Sequence, residues 1–142
     1  MQIIDLKLGQ ELYGIDIRYV NSIIVMQNIT RVPKAQPYYL GVINLRGEVI
    51  PVMSLRRRLG LEDDTFTPST RILIIKPDDS SESVGLIVDE VNEVVTLEDE
   101  NIEKVNYDEK DGKAVFSAGI GKNGSDLINI LNIPAIVSEK NE

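Results

Sequence analysis

The sequence contains no cysteine and no histidine among its 142 residues. Without a thiolate or an imidazole, the chain cannot build a cysteine nucleophile, a Ser-His-Asp triad or a zinc centre with nitrogen and sulfur ligands. Any acid–base chemistry would have to use carboxylate, lysine or tyrosine side chains. We therefore predict that the protein is not an enzyme and that it needs no metal ion and no cofactor.

Aromatic residues and long apolar runs are also scarce. The chain has no tryptophan and only two phenylalanines, too few to stack bases in a basic groove, so nucleic acid is not an expected partner. No apolar run approaches the roughly 18 residues of a membrane span, and the first residues do not resemble a signal peptide. The predicted location is the cytoplasm, without direct insertion into a membrane.

Charge is unevenly distributed along the chain. The formal net charge is −8, with +4 in residues 1–60 and −12 in residues 61–142. Such a distribution favours docking to a protein partner over a general attraction to phosphate groups. The hydrophobic content of 42% is sufficient for the core of one compact domain.

Short apolar runs with period-two alternation predict an all-β protein built from small barrels. In the first run, Ile4, Leu6 and Leu8 alternate with charged residues. Residues 9–10 then offer a tight turn into a second strand over residues 13–17. The start of the chain is therefore expected to form a β-hairpin.

A short helix is expected after this hairpin. Asp16 is a suitable N-cap, and Val20, Ile23 and Ile24 follow at the spacing of one helical face. The pattern predicts about two helical turns, since the chain becomes extended again before Pro33.

Four of the seven arginines lie within one aliphatic segment. Residues 42–45 and 49–53 read as two strands joined by a turn in which Gly47 can take a positive φ. Ser54 then suits a helix N-cap and Gly60 the position after a helix end. One helical turn is expected between them.

The second half of the chain continues the β pattern. Residues 71–76 enclose four consecutive aliphatic residues, and residues 84–88 contain four aliphatic residues and a glycine, as expected of strands buried on both faces. The second run continues towards residue 97, long enough to serve two lobes, with a bend that Gly85 permits. Residues 114–120 and 127–131 predict a closing hairpin around an Asn-Gly turn.

Gly119, Gly121 and Gly124 spell the GxGxxG motif of dinucleotide-binding proteins. The motif requires a following helix, a second strand and an acidic ribose ligand, which the short remainder of the chain cannot supply. We therefore interpret these residues as glycines of a barrel hairpin. Asn132 and Pro134 instead suit the cap and first turn of a short terminal helix.

Several segments carry a resemblance to a known family. The run YYLGVINLRGEVIPVMSLRRRLG closely resembles the hallmark segment of the CheW-like domain family. LGQELYGIDIRYVNSII with ITRVP, VGLIVDEVNEVV and GIGKNGSDLINILNI resemble the family's opening, middle strand and closing hairpin, in the same order. The sequence departs from the pattern at Ser54, where Asp or Asn is frequent, and at Arg57, which is not usual.

The resemblance implies a single CheW-like domain over residues 1–142, made of two intertwined five-stranded SH3-like β-barrels that share strands, with short helices. Members of this family perform no catalysis. They couple the cytoplasmic tips of methyl-accepting chemotaxis receptors to the histidine kinase CheA in membrane-associated signalling arrays. Without kinase segments, the chain is expected to be a free-standing coupling protein.

The resemblance also implies a receptor-binding groove between the two lobes. The matching positions here are Ile4, Ile17, Val20, Ile23 and Val91. An apolar stripe on so short a helix needs a surface to pack against, in agreement with this assignment. The alternative is that all five side chains simply fill the core between the barrels.

Asn44, Arg46 and Gly47 form a second candidate group. An amide and a guanidinium on one strand face can bind one carboxylate together, so we predict that Arg46 fixes the lobe–lobe geometry and contributes to the partner surface. The alternative is an internal ion pair between Arg46 and Glu48 or Asp89.

The resemblance suggests CheA contacts at Leu55, Arg56 and Leu59. Because Leu55 and Leu59 are expected to face inward, the alternative for residues 56–58 is an ordinary solvated face.

Two other functions remain open on the sequence alone. One is a small β-barrel module that binds an oligosaccharide, an oligonucleotide or a metabolite, for which a groove with aromatic or basic residues is needed. The chain supplies five tyrosines and two phenylalanines for it. The other is a homo-oligomeric structural protein that pairs through exposed barrel edges.

Overall fold

The structure, a computed structural model, describes residues 1–33, 36–104 and 114–138. Within these ranges the protein is mainly β, and its eleven strands form two sheets. The strands are β1 (Gln2–Leu8), β2 (Glu11–Asp16), β3 (Val20–Val25), β4 (Tyr39–Leu45), β5 (Glu48–Ser54), β6 (Arg71–Ile75), β7 (Val84–Val88), β8 (Glu90–Thr96), β9 (Ile102–Glu103), β10 (Ser117–Asn123) and β11 (Asp126–Leu131). The helices are α1 (Leu55–Arg58), α2 (Ile133–Val137) and 3₁₀ turns at Ile17–Tyr19, Asp99–Asn101 and Ala114–Phe116.

The two sheets define two lobes. The first lobe has the strand order β8-β1-β2-β11-β10-β9 and the second has β3-β6-β7-β5-β4. Neighbouring strands are antiparallel except β2 with β11 and β5 with β7, which are parallel. The chain starts in the first lobe, forms the whole second lobe and then returns, so the lobes are intertwined as predicted.

The prediction of five strands per lobe needs a small correction. The second lobe has five strands, whereas the first has six because the two-residue strand β9 adds to β10. None of the described strands belongs to both sheets. The lobes instead share one continuous segment, since β7 ends at Val88 in the second lobe and β8 begins at Glu90 in the first.

The predicted bend in this segment lies at Asp89 rather than at Gly85. Asp89 is the single residue between the two strands, where the chain passes from one sheet to the other. Gly85 serves close packing, because a Cβ atom there would lie 2.9 Å from the Ile72 side chain and 3.2 Å from the Val52 side chain.

Three apolar clusters form the core, and the largest lies between the two lobes. This interlobe core contains buried residues of both sheets, among them Leu6, Leu8, Ile15, Met53, Leu73, Ile75, Leu86 and Val88. The other two clusters belong to one lobe each. Strand β6 shows how the sequence serves both sides of a sheet, since Leu73 and Ile75 enter the interlobe core while Ile72 and Ile74 enter the second-lobe cluster.

The predicted two-turn helix after Asp16, with Val20, Ile23 and Ile24 on one face, is wrong. Asp16 does act as a cap, with Oδ1 accepting a hydrogen bond of 3.0 Å from the Arg18 amide, but it caps only a 3₁₀ turn. The chain then enters β3, which pairs with β6. The β-branched residues of this segment favour an extended conformation, and the open edge of β6 supplies the backbone partners.

The turn between β4 and β5 has the predicted form. Arg46 and Gly47 both have positive φ, 54° and 83°, as a two-residue type I′ hairpin turn requires. Helix α1 is also as predicted: the Ser54 hydroxyl accepts a hydrogen bond of 3.2 Å from the Arg57 amide, and Gly60 follows the helix with a φ of 75°.

The closing hairpin is present with shifted limits. Strand β10 begins only at Ser117, and the turn comprises Gly124 and Ser125, because Asn123 pairs with Asp126. The glycine motif belongs to this hairpin: a Cβ atom at Gly121 would lie 2.5 Å from the Leu97 side chain. No helix in the described part of the chain is long and apolar enough to cross a membrane.

Candidate partner-binding face

The apolar surface between the lobes continues beyond the buried core onto β3. Val20 pairs with Ile75 and Ile23 pairs with Leu73. Directly opposed residues of neighbouring strands point to the same face of a sheet, and both β6 partners belong to the interlobe core. Val25, two residues after Ile23, shares this face. Ile23 and Val25 are 42% and 58% exposed, so this edge of the core is open.

A second continuation lies on β8. Ile4 pairs with Val94 and Leu6 pairs with Val91, so two steps along β1 match three steps along β8. This β-bulge places Val91 and Val94 on one face. It is the face of the interlobe core, to which Leu6 belongs and against which Val91 packs. Val94 is 52% exposed.

We call Val20, Ile23, Val25, Val91 and Val94 together the interlobe apolar face. All of these residues are aliphatic and half-buried or exposed. They continue the same core from the two different sheets. A partner that covered them would therefore extend the protein's own hydrophobic core rather than form an isolated contact.

The five predicted groove residues differ in how much surface they offer. Ile23 is exposed, and Ile17, Val20 and Val91 are half-buried. Ile4 is only 4% exposed and contributes little surface. The groove assignment as a whole stays a prediction, but Ile23 does not fit the alternative in which all five side chains fill the core.

Sequence reasoning missed Val25 and Val94. Strict period-two counting places Val94 on the opposite face of the strand from Val91, and only the bulge at residues 92–93 reverses this. The expected helix likewise obscured the alternation of Ile23 and Val25 along β3. Assigning residues 20–25 to a strand would have placed Ile23 and Val25 on one face.

Asn44 and Gly47 act within their own turn. The Asn44 side-chain oxygen accepts a hydrogen bond of 3.0 Å from the Gly47 amide, so Asn44 stabilises the hairpin locally. The Arg46 side chain is exposed and makes no hydrogen bond or ion pair with any described residue. It borders a pocket of about 370 Å³ that Ile23 also lines.

The described residues do not contain the internal ion pair that was the alternative for Arg46. The Asp89 carboxylate, one of its suggested partners, is bound by Arg56 instead, with Nε of Arg56 2.8 Å from Oδ1 of Asp89. The contributions of Arg46 to the lobe–lobe geometry and to a partner surface stay predictions, and its side chain is exposed.

The expectation of a solvated arginine face is also corrected. Arg56 is half-buried in the ion pair with Asp89, and Arg57 pairs with Asp63 at 2.9 Å. Arg58 is only 7% exposed. Each of the three arginines therefore has a different internal partner, and only Arg57 is exposed.

Arg58 connects α1 to the carboxyl-terminal helix α2. Its Nε donates a hydrogen bond of 2.7 Å to the Ile136 carbonyl, and a terminal nitrogen donates one of 2.7 Å to the Ser138 carbonyl. The guanidinium lies 4.3 Å from the ring centre of Tyr38 and 4.9 Å from that of Phe116. A cation at the carboxyl end of α2 also suits the helix dipole.

Leu55 and Leu59 face inward as expected, at 0% and 8% exposure. Their side chains pack into the core beneath α1 and offer almost no surface to a partner. A contact with CheA at these two leucines would require a local rearrangement, and their assignment stays a prediction.

Asp5 is an unusual acidic residue at the β8 bulge. It is 6% exposed, and its Oδ1 atom has no hydrogen-bond partner among the described residues. Burial raises the pKa of the Asp5 carboxyl above its ordinary value, and the nearby Glu93 and Asp126 act in the same direction against a hydrogen bond from Asn92. Ionisation of the Asp5 carboxyl is therefore poorly compensated in the folded protein.

Replacing Asp5 by asparagine is expected to stabilise the protein at neutral pH by about 1 kcal/mol, because it removes the ionisable carboxyl that burial penalises while the contact to Asn92 remains. A raised folded-state pKa means that Asp5 lowers stability progressively as pH rises from the ordinary value of 3.8 through the raised one. Urea unfolding at neutral pH and near pH 3.8 should show the advantage of Asp5→Asn shrinking in acid. An equal advantage at both pH values would contradict this explanation.

Comparison with known proteins agrees with this architecture. Residues 2–141 match the CheW-like domain. The chain belongs to the CheW-like domain family. It is 41% identical over 132 residues to the chemotaxis protein CheW of Bacillus subtilis (strain 168), covering 93% of this chain and 83% of that protein. It is 32% identical over 139 residues to the chemotaxis protein CheW of Helicobacter pylori, covering 98% and 82%.

A solved CheW structure has the same fold. The crystal structure of the scaffolding protein TtCheW from Thermoanaerobacter tengcongensis superposes with a TM-score of 0.88 at 30% identity, over 99% of this chain and 94% of that one. The CheW-like fold predicted from the hallmark segment is therefore confirmed, and the structure accommodates Ser54 and Arg57. Ser54 retains the cap of α1, and Arg57 is accommodated by its ion pair with Asp63.

Proposed function

We propose that the chain is a non-enzymatic chemotaxis scaffold that couples methyl-accepting chemotaxis receptors to the histidine kinase CheA. Membership of the CheW-like family supports this role, and relatives of similar length are named chemotaxis proteins and a scaffolding protein. The proposal places the chain in the cytoplasm, at membrane-associated receptor arrays, because both partners would be met there.

The observation that carries the proposal is the interlobe apolar face. The receptor tip is a helical hairpin, and an apolar face on a helix binds well to an open apolar surface without any cofactor. Ile23, Val25 and Val94 present such a surface in the free protein, with exposures between 42% and 58%. Arg46, exposed in the β4–β5 turn and bordering a pocket that Ile23 also lines, is a further candidate contact for acidic or carbonyl groups of a partner.

The size of this face predicts modest affinity. Burying five aliphatic side chains contributes on the order of 7 to 15 kcal/mol, while association costs about 4 to 15 kcal/mol. The difference suits a component that exchanges within an array. For CheA, we propose docking at the α1 end of the second lobe, where Arg57 is exposed and Leu55 and Leu59 support the surface from below.

The alternative of a ligand-binding barrel receives less support. Among the described aromatic residues, Phe66 alone is exposed, and Tyr13, Tyr38 and Phe116 are buried. Stacking of sugar rings or bases requires exposed aromatic faces, which the interlobe apolar face does not contain.

Co-sedimentation tests the proposal. The chain is incubated with receptor-containing membranes alone, with CheA alone and with both, and its recovery in the membrane pellet is measured. We expect partial recovery with receptors and a clear increase when CheA is added. Recovery no higher than with receptor-free membranes would contradict the scaffold role, and binding to an oligosaccharide or nucleotide array without either protein would favour the alternative.

A further inference from the structure

The chain crosses between the lobes at one residue, and that residue binds groups from both lobes. Asp89 follows β7 of the second lobe and precedes β8 of the first. Its Oδ1 accepts a hydrogen bond of 2.8 Å from Nε of Arg56. Its Oδ2 accepts one of 2.5 Å from a terminal nitrogen of Arg56 and one of 2.8 Å from the Gly9 amide. We call Gly9, Arg56 and Asp89 the Asp89 clamp.

The three groups of the clamp come from three different elements. Gly9 lies in the turn between β1 and β2 of the first lobe, whereas Arg56 lies in α1 of the second lobe. Arg56 also donates a hydrogen bond of 3.2 Å to the Glu62 carbonyl, which orients the guanidinium from the other side. The carboxylate therefore connects a turn of one lobe to a helix of the other.

The ion pair of the clamp is partly shielded from solvent and has a defined geometry. The side chains of Arg56 and Asp89 are 16% and 26% exposed, so solvent screens their ion pair less than an exposed pair. The hydrogen bond from Arg56 holds the pKa of Asp89 below its ordinary value. Two parallel bonds from one guanidinium fix an angle as well as a distance, which a lysine at this position would not do.

We propose that the Asp89 clamp sets the orientation of the two lobes and thereby the shape of the interlobe apolar face. Val91 lies only two residues beyond Asp89 on β8, whereas Val20 and Ile23 lie on the other sheet. A rotation of the chain at Asp89 therefore moves one side of this face relative to the other. The step from lobe orientation to receptor affinity depends on the function proposed above; the step from the clamp to lobe orientation does not.

The chain offers a matched control for the clamp. Arg57 is the next residue in α1, and its ion pair with Asp63 joins α1 to the loop that follows it. The side chains of this pair are 37% and 72% exposed. Substituting Arg57 or Asp63 changes an arginine or an aspartate, as the clamp variants do, but leaves the contacts between the lobes in place.

Distance measurements between the lobes test the proposal. Because the chain has no cysteine, single cysteines at Val49 and Leu127, which are exposed on the second and first lobe, accept spin labels specifically. Pulsed electron paramagnetic resonance then compares Arg56→Lys and Asp89→Asn with Arg57→Lys and Asp63→Asn. We expect a broader or displaced distance distribution for the two clamp variants and an unchanged one for the two controls.

The affinity for a receptor-tip fragment is measured on the same proteins without labels. We expect the clamp variants to bind at least about fivefold more weakly, the lower end of the usual range for coupled sites, and the controls to bind as the parent does. Unchanged distances in a folded Arg56→Lys protein, verified by circular dichroism, would overturn the proposal even if Asp89→Asn failed to fold. Changed distances with unchanged affinity would overturn the link to the apolar face, and failure of the parent itself to bind the fragment would refute the proposed function instead.

Discussion

Replacing both Ile23 and Val94 by aspartate is expected to weaken the binding of a receptor-tip fragment more than about a hundredfold. Either substitution alone is expected to weaken it about tenfold or more. Each change removes an aliphatic contact worth about 1.5 to 3 kcal/mol when buried and places a charge where the partner would exclude water. The two side chains come from different sheets, so their effects should be nearly additive. Isothermal titration calorimetry with the purified fragment measures the affinity.

The stability of these variants should hardly change, because Ile23 and Val94 are 42% and 52% exposed in the free protein. We expect the free energy of unfolding to remain within about 0.5 kcal/mol of the parent value. Val49→Asp and Leu127→Asp are matched controls, since these residues are 64% and 61% exposed. Each is separated by two intervening strands from β3 or β8, a distance of roughly 14 Å. Equal losses of affinity in the controls would show that the effect is not specific to the interlobe apolar face.

Arg58→Ala is expected to destabilise the protein by about 3 kcal/mol or more. The substitution leaves the carbonyls of Ile136 and Ser138 without the charged donor that now binds them, at a cost of about 1.5 to 3 kcal/mol for each such bond. It also removes the guanidinium from between the rings of Tyr38 and Phe116, both of which belong to the interlobe core. Chemical denaturation with guanidinium chloride measures the change.

Arg57→Ala is the control for this effect, because Arg57 is the neighbouring arginine with an exposed ion pair. Exposed pairs contribute about 0 to 1 kcal/mol, so Arg57→Ala should be nearly neutral. Arg58→Lys should be intermediate, since it retains the charge without the planar fork. If Arg58→Ala lost no more stability than Arg57→Ala, the structural role assigned to Arg58 would be refuted.

Local patterns predicted the parts of the fold that depend on neighbouring residues. The first hairpin, the β4–β5 turn and the cap at Ser54 each follow from a few adjacent side chains and from glycine geometry. The hallmark segment supplied the family, and the solved TtCheW structure confirms it. The two-turn helix expected after Asp16 was wrong, because pairing with β6, a strand far along the sequence, decided the conformation of residues 20–25.

The candidate site was predicted less completely for the same reason. Val20, Ile23 and Val91 were chosen from the family resemblance, but Val94 depends on a bulge that alternation cannot reveal. The partners of Arg56 and Arg58 lie 33 and 78 residues away in the sequence. No local pattern distinguishes these arginines from the exposed Arg57 between them, and only the folded chain shows that the three have separate roles.

A receptor tip is expected to bind the interlobe apolar face, and methyl NMR tests this binding most directly. With isoleucine and valine methyl groups labelled, titration with the receptor-tip fragment should shift the signals of Val20, Ile23, Val25, Val91 and Val94 progressively. The signal of Val49, exposed on another part of the second lobe, should stay in place. Saturable binding that shifts Val49 and leaves Ile23 and Val94 unchanged would contradict the account.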